Sequence, residues 1–342
     1  MKILHVTEAY GGGVTSAINT YVAHSMQFDH YLFACVREED KTGEEADGLF
    51  RNTFLVDRNF SALLKLKKVI KALQPDVIHL HSTYAGFFVR LMPFIKKTKV
   101  VYTPHGYAFL RNQHPLLLKL FYIAEWILGP RTQVIAGCGR DEQNISKSFV
   151  NHRNTIELIN VSGELPSVKG CVNKTGIPII SMVGRISAQK DFDFFADVAS
   201  KFESEVVFKW IGGGCESGHK TLTEAGVIVT GWLTRQQVIS ELSNSSLYFH
   251  SAAWDGFPIS VLEAAKLNIP IVLRGIGPFT AENLNVVTSV SAAEQEVRLC
   301  IGGDDAAIKR ADFNRLEISR YHTSENLSRI LDLMYLQFKV RY

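Results

Sequence analysis

The chain has 342 residues, 46% hydrophobic and 21% charged, so it holds enough apolar material for packed cores and too little charge for a disordered chain. Its length exceeds what one core usually fills, and two domains are expected. A formal net charge of +3 gives no ground for a nucleic-acid partner.

Lys2–Thr7 reads as a first strand, with too few apolar residues before Glu8 for a secretory signal core. Gly11, Gly12 and Gly13 follow, and Val14, Ala17, Ile18, Tyr21 and Val22 then fall at helical spacing, which is the Rossmann order of strand, glycine turn and helix. The strict G-x-G-x-x-G run is absent, with Val14 and Ser16 where glycines would be needed, and no acidic residue ends the second strand. That argues against a dinucleotide-dependent dehydrogenase. Tyr31–Val36, Thr53–Val56, Val77–His81, Lys99–Thr103 and Gln133–Cys138 read as further buried strands alternating with helical patterns, which implies parallel βα units.

Several residues of this half carry chemistry. Asp76-Val-Ile-His-Leu-His81 puts His79 and His81 on one side of a strand end, because side chains alternate with period two. No third ligand stands near them in sequence, and no metal site is expected. Thr103-Pro-His-Gly-Tyr107 places His105 on a loop where Gly106 permits a sharp turn. The stretches Phe60–Leu73 and Pro115–Leu128 read either as ordinary core helices with solvated lysines or as basic and greasy faces for a membrane surface. Lys119, Glu125 and shortness exclude the latter stretch as a membrane span. Cys35, Cys138, Cys171, Cys215 and Cys300 lack C-x-x-C spacing, so neither a disulfide framework nor a zinc ribbon is indicated, and a reducing compartment fits best.

Loop composition near Val161–Gly170 marks a linker, after which strands restart at Ile177–Val183, Val206–Ile211, Val227–Thr230, Leu247–His250 and Ile269–Leu273. Paired doubly wound domains bind ligands at the carboxyl ends of their strands, so a cleft is the expected site. After the first of these strands, Gly184, Arg185 and Lys190 lie near a turn and a helix start. Two cations there can clamp a pyrophosphate, each charge-assisted hydrogen bond contributing about 1.5 to 3 kcal/mol. Asp191-Phe-Asp193 has metal-motif spacing, but its place at a helix start makes capping the expected role. Ile211-Gly-Gly-Gly-Cys215 and Thr230-Gly-Trp-Leu-Thr234 mark strand-end loops, with Gly213, Trp232 and Leu233 placed to meet a nucleoside, or with Trp232 simply packing. Asp255 and Glu263, seven residues apart, flank a helix start at which Gly256 frees the backbone and Pro258 suits the first turn. The N–H groups near Ile259 and Ser260 favour phosphate. Alone, such a pair reads as a loop or capping residue and a solvated helix carboxylate. The last segment, Ser324–Phe338, is one amphipathic helix with Leu327, Ile330, Leu331, Met334 and Tyr335 on its apolar side.

The Asp255 to Glu263 segment resembles the E-x7-E motif of family 4 glycosyltransferases, which usually have Glu at the first position, so one carbon of reach is missing here. Gly184-Arg185 and Lys190 resemble the family's G-R-x4-K element, and Asp76, His79 and His81 its D-x-x-H-x-H. The resemblance implies an α/β GT-B fold of two Rossmann-like domains, 1–160 for the acceptor and 161–322 for the donor, with 323–342 as a helix crossing back. It implies a retaining transferase without metal or cofactor, moving sugar from a nucleotide diphosphate sugar, UDP favoured, to a hydroxyl of a glycan or lipid-linked glycan. The expected setting is bacterial O-antigen, capsule or exopolysaccharide synthesis in the cytoplasm, with peripheral contact at the inner membrane surface and no nucleic acid. By the same resemblance His105, Arg185, Lys190 and Asp255 are catalytic, and His79, His81 and Tyr107 lie on the acceptor side. Donor binding falls to Gly12, Gly13, Gly184, Gly213, Trp232, Leu233, Gly256, Phe257, Pro258, Ile259, Ser260 and, at the ribose, Glu263. A sugar-nucleotide 2-epimerase of the same fold and a noncatalytic sugar-nucleotide or carbohydrate-binding protein are the alternatives.

Overall fold

The computed structural model describes residues 1–8, 10–36, 48–59, 61–96, 99–111, 113–166, 176–203 and 206–338. Phe60, Cys171 and the end of the expected linker, 167–170, lie outside them. The chain forms two compact units, Met1–Val161 with Thr323–Tyr342, and Ser162–His322.

In the first unit, strands β1 (Lys2–Thr7), β2 (Asp29–Val36), β3 (Asn52–Asp57), β4 (Val77–His81), β5 (Val100–Thr103), β6 (Val134–Gly137) and β7 (Thr155–Glu157) make one sheet in the order β3-β2-β1-β4-β5-β6-β7. Every pairing is parallel. Helices α1 (Gly12–Ala23), α2 (Ser61–Leu73), α3 (Thr83–Leu91), α4 (Pro115–Leu128) and α5 (Arg140–Ser146) are the crossovers. Strands buried on both faces read as continuous apolar runs, and β4 is buried at all its positions. The strand order reverses between β1 and β4, whose register sets His5 beside His79 and Thr7 beside His81. A last helix, α13 (Ser324–Leu336), is capped by Thr323 and buries Leu327, Leu331, Met334 and Tyr335 in this same unit.

The second unit has β8 (Ile179–Val183), β9 (Val207–Ile211), β10 (Ile228–Val229), β11 (Leu247–His250), β12 (Ile271–Arg274) and β13 (Val286–Val287) in the order β10-β9-β8-β11-β12-β13. Around this parallel sheet lie α6 (Phe192–Ala199), α7 (Glu216–Glu224), α8 (Arg235–Ser243), α9 (Ile259–Lys266), α10 (Gly277–Ala281), α11 (Val290–Ile301) and α12 (Asp305–Tyr321). Its core is aromatic where α6 meets the sheet, with Phe195 against Phe208, Trp210 and Phe249.

Three local expectations change. Pro258 stands outside α9 at the N-cap, with an extended ψ of 132°, and the helix begins at Ile259. The glycine freedom expected of Gly256 is used elsewhere, at Gly212 (φ 139°) and Gly231 (φ 70°). Strands β7 and β13, three and two residues long, are too short to show a period in sequence.

Candidate active site

The second unit assembles a charged site where β8, β11 and β12 end. Asp191 caps α6, accepting from the Phe194 N–H at 3.2 Å, and it pairs with Arg274 at the end of β12. The preceding loop is pinned to the segment after β11: Ser251 donates to the Lys190 carbonyl at 2.9 Å, and the Ala253 N–H donates to the Gln189 carbonyl at 3.0 Å. Gly184 supplies the space for Lys190, since a Cβ there would stand 3.1 Å from the lysine stem. Lys190 Nζ is thereby delivered to Asp255 Oδ2 in a direct ion pair. Asp255 also accepts from Gln189 Nε2 at 3.3 Å and from the Gly256 N–H at 3.0 Å. The cation expected for phosphate and the carboxylate expected for sugar hydroxyls therefore neutralise each other in the resting site.

The turn into α9 follows. Phe257 is buried against Phe279 and His322, at 5.7 and 3.9 Å between ring centroids, and anchors the turn rather than exposing its ring. The helix has no side-chain cap and no acidic residue in its first turn, so the N–H groups at Ile259 and Ser260 carry the positive end of the helix dipole uncovered. One turn further, Glu263 is 4% exposed, and its Oε1 lies 2.7 Å from Nη1 of Arg235, the first residue of α8. That charge pair lacks hydrogen-bond alignment, and Oε1 is left without an accepted hydrogen bond. Burial raises the Glu263 pKa, and the Arg235 guanidinium pulls it back down.

On the opposite strand ends, Trp232 is 62% exposed, and a Cβ on Gly213 would fall 2.9 Å from its ring. The indole lies over that glycine with the Arg185 guanidinium 5.9 Å from its centroid, so Arg185, Gly213 and Trp232 form one surface. Leu233 packs against the core instead.

In the first unit the histidines are internal. His30 Nε2 lies 2.8 Å from the Ser25 carbonyl, which can only accept, so His30 carries its proton there. The next contacts are His5 Nε2 to His30 Nδ1, His81 Nε2 to His5 Nδ1 and His105 Nε2 to His81 Nδ1, each 3.0 Å. Each imidazole then donates to the one before it, and the Cys138 thiol donates to His105 Nδ1 at 3.2 Å. His79 stands apart, bonded to Tyr335 Oη and Thr103 Oγ1 at 2.8 Å each. Burial keeps every ring neutral, and it lowers the His105 pKa to about 3. The His105 loop is held by Glu142, which accepts from the Gly106 N–H and from the Cys138 N–H, with φ of 52° at His105 and 90° at Gly106.

This geometry changes three readings. His79 and His81 share a face, but both are fully buried, as is Tyr107, which bonds Ser146 and packs on Phe109; none presents a side chain to an acceptor. Both ring nitrogens of His105 are engaged within the unit. A third histidine does stand by His79 and His81: His5, brought in by the pairing of β1 with β4, puts three ligand atoms within 4.8 Å of one another. The lone pairs of His5 and His81 already accept hydrogen bonds, so a cation would have to break the chain. Gly12 and Gly13 open α1, whose N-terminus has no side-chain cap, and the space over Gly13 is open.

The two readings of the greasy and basic stretches also separate. Helix α2 is an ordinary amphipathic helix that buries Ala62 and Leu66. Helix α4 turns Glu125 inward to a buried pair with Arg90 at 2.7 Å and leaves Leu116, Leu117, Leu120, Ile123, Trp126 and Ile127 exposed. Neighbouring α3 meets it through Tyr84 and Phe121 and adds exposed Phe88 and Leu91.

Two doubly wound parallel sheets, with cations and an uncovered helix N-terminus at the strand ends of the second, define a glycosyltransferase of GT-B fold. Residues 10–160 match the family model Glycosyltransferase Family 4, residues 177–298 match Glycosyl transferases group 1, and the chain belongs to this family. It is 26% identical over 280 residues to the Escherichia coli O-antigen biosynthesis glycosyltransferase WbnH, covering 80% of each chain. It is 24% identical to an Escherichia coli UDP-Gal:alpha-D-GlcNAc-diphosphoundecaprenol alpha-1,3-galactosyltransferase, covering 67% of this chain and 65% of that one. Among solved structures, Anabaena Alr3699/HepE in complex with UDP and glucose shares the fold, with TM-score 0.79 and 14% identity over 98% of this chain and 100% of that one.

Proposed function

We propose that this glycosyltransferase transfers a hexose or N-acetylhexosamine, with retention, from a UDP-sugar to a hydroxyl of a lipid-linked glycan in bacterial surface polysaccharide synthesis. The observation that carries the reading is the Lys190–Asp255 pair set beside the uncapped start of α9. A diphosphate is a stronger anion than one carboxylate, so it displaces Asp255 from Lys190 and also takes Arg185 and the N–H groups of Ile259 and Ser260. Asp255, released, turns to sugar hydroxyls, and Glu263 holds the ribose. The bond from the anomeric carbon to the diphosphate oxygen breaks as the acceptor oxygen bonds to the same face, and the acceptor proton passes to the departing phosphate. Side-chain cations and the helix N-terminus meet the developing charge, with no metal in this reading. The relatives' names support the substrate class, one acting from UDP-Gal on a diphosphoundecaprenol-linked sugar.

Calorimetry with UDP, GDP and ADP in EDTA buffer tests this. UDP is expected to bind at a single site, and a donor screen then identifies the sugar. If no nucleoside diphosphate binds, the reading fails.

The apolar face of α4 is assigned to the membrane that carries the acceptor. Its exposed residues include Lys119 and no acid, which suits an anionic bilayer. The protein is expected to float with anionic liposomes at low salt. A Leu120→Gln, Trp126→Gln variant should bind at least about tenfold more weakly, since each apolar side chain contributes about 1.5 to 3 kcal/mol when buried. Wild-type protein remaining unbound would refute the assignment.

A further inference from the structure

The start of α9 is backed by a buried chain of polar side chains from β11. Tyr248 and His250 point to the same face of that strand, and both are completely buried. The Tyr248 hydroxyl donates to Ser260 Oγ at 2.9 Å, while His250 Nδ1 lies 3.1 Å from the same phenol oxygen. A phenol has one proton, and of the two acceptors in reach, Ser260 Oγ at 2.9 Å and the weakly accepting Met182 thioether at 3.6 Å, the serine receives it. The neutral imidazole must then donate from Nδ1, which leaves Nε2 as a lone pair. That atom has no hydrogen-bond partner and sits 3.8 Å from Asp255 Oδ2, too far for a hydrogen bond. The order is therefore one-way, from His250 to Tyr248 to Ser260. With a lone pair occupied by Tyr248, the half-exposed Ser260 must direct its own proton away from β11, on the turn whose backbone N–H groups are uncapped.

We infer that Tyr248 and His250 are positioning residues that turn the Ser260 hydroxyl into an outward hydrogen-bond donor for the diphosphate. This rests on the proposed function. Each bond in such a chain polarises the next, so the serine donates more strongly than an isolated hydroxyl. An orphaned Nε2 is the cost of fixing the direction. Neither residue touches the ligand; both act through Ser260.

The test is a double-mutant cycle read by UDP calorimetry and by donor turnover. Ser260→Ala is expected to weaken UDP binding about tenfold, the loss of one hydrogen bond to a charged group. Tyr248→Phe keeps the ring and the serine, yet should lose about threefold to tenfold. The double variant should bind no more weakly than Ser260→Ala, because the tyrosine has nothing left to orient. His250→Gln, which keeps a donor toward Tyr248, should bind as wild type, whereas His250→Leu should follow Tyr248→Phe. A purely structural role would shift melting temperature and give additive losses. Additive losses, or a Tyr248→Phe protein that binds normally, would overturn the inference while the proposed function stands. Failure of wild type to bind any nucleoside diphosphate would remove both. If Tyr248→Phe proves unstable, the two His250 variants decide the matter alone.

Discussion

Lys190→Ala is expected to cut kcat/KM for sugar transfer by about a thousandfold and to leave the fold intact. Lys190 is the cation most firmly aimed at the site, with its stem laid along Gly184 and its loop tied by Ser251 and Ala253. Removing one such charge from a developing diphosphate typically costs about 2.7 to 4 kcal/mol of transition-state stabilisation, or 10² to 10³ in rate. The fold is held by other contacts. Asp255 keeps its bonds to Gln189 and to the Gly256 N–H, so its carboxylate stays hydrogen-bonded when the lysine is removed. Asp255→Asn is the informative partner. It frees Lys190 from its internal counter-ion, so UDP should bind as tightly as to wild type or tighter, while transfer falls because the sugar hydroxyls meet a neutral amide oxygen in place of a charged acceptor. Purified, folded Lys190→Ala protein that transfers at near wild-type rate would remove Lys190 from the mechanism.

The same pair shows what was legible in the chain. Gly184, Arg185, Lys190, Asp255 and Glu263 stand out because each motif is local, and the alternation of apolar runs with helical periods exposes both sheets. That Lys190 and Asp255 neutralise each other is not legible, because 65 residues separate them and only the pairing of loops after β8 and β11 joins them. The histidines fail for the same reason. His79 and His81 look like strand-end ligands until the β1 to β4 register adds His5, and the sheet buries all three. Composition marks Pro115–Leu128 as greasy, but only the inward Glu125–Arg90 pair decides which face turns out. At α9 the anion-favouring start was visible, whereas Tyr248 and His250 behind it read as mere strand residues.

That buried chain of histidines sets the second large effect, in which the first unit is expected to lose stability and unfold as the pH falls below the ordinary histidine range, about 6.5. His5, His30, His79, His81 and His105 all have folded-state pKa values below the unfolded value, chiefly through burial. The unfolded chain therefore binds more protons than the folded one below about pH 6.5. Stability is complete above that pH and falls as pH falls toward the folded values, by up to about 1.4 kcal/mol per pH unit for each histidine. Glu142 and Asp141 oppose this: burial raises the Glu142 pKa to about 7 and the Asp141 pKa above its usual value, so folding takes up protons there across part of the same window. The lowered histidines outnumber the raised carboxyls, so a net uptake of protons on unfolding remains, against a total stability of about 5 to 15 kcal/mol for an ordinary domain. Among the described residues of the second unit His250 alone shifts in the same sense, and Glu263 and Asp193 shift in the opposite one, so that unit should outlast the first. Circular dichroism against pH, with hydrogen exchange to tell the units apart, measures both the midpoint and the order. A first unit still folded at pH 4 would mean that the imidazole chain accepts protons without breaking, in place of the neutral, one-directional chain that the Ser25 carbonyl anchors.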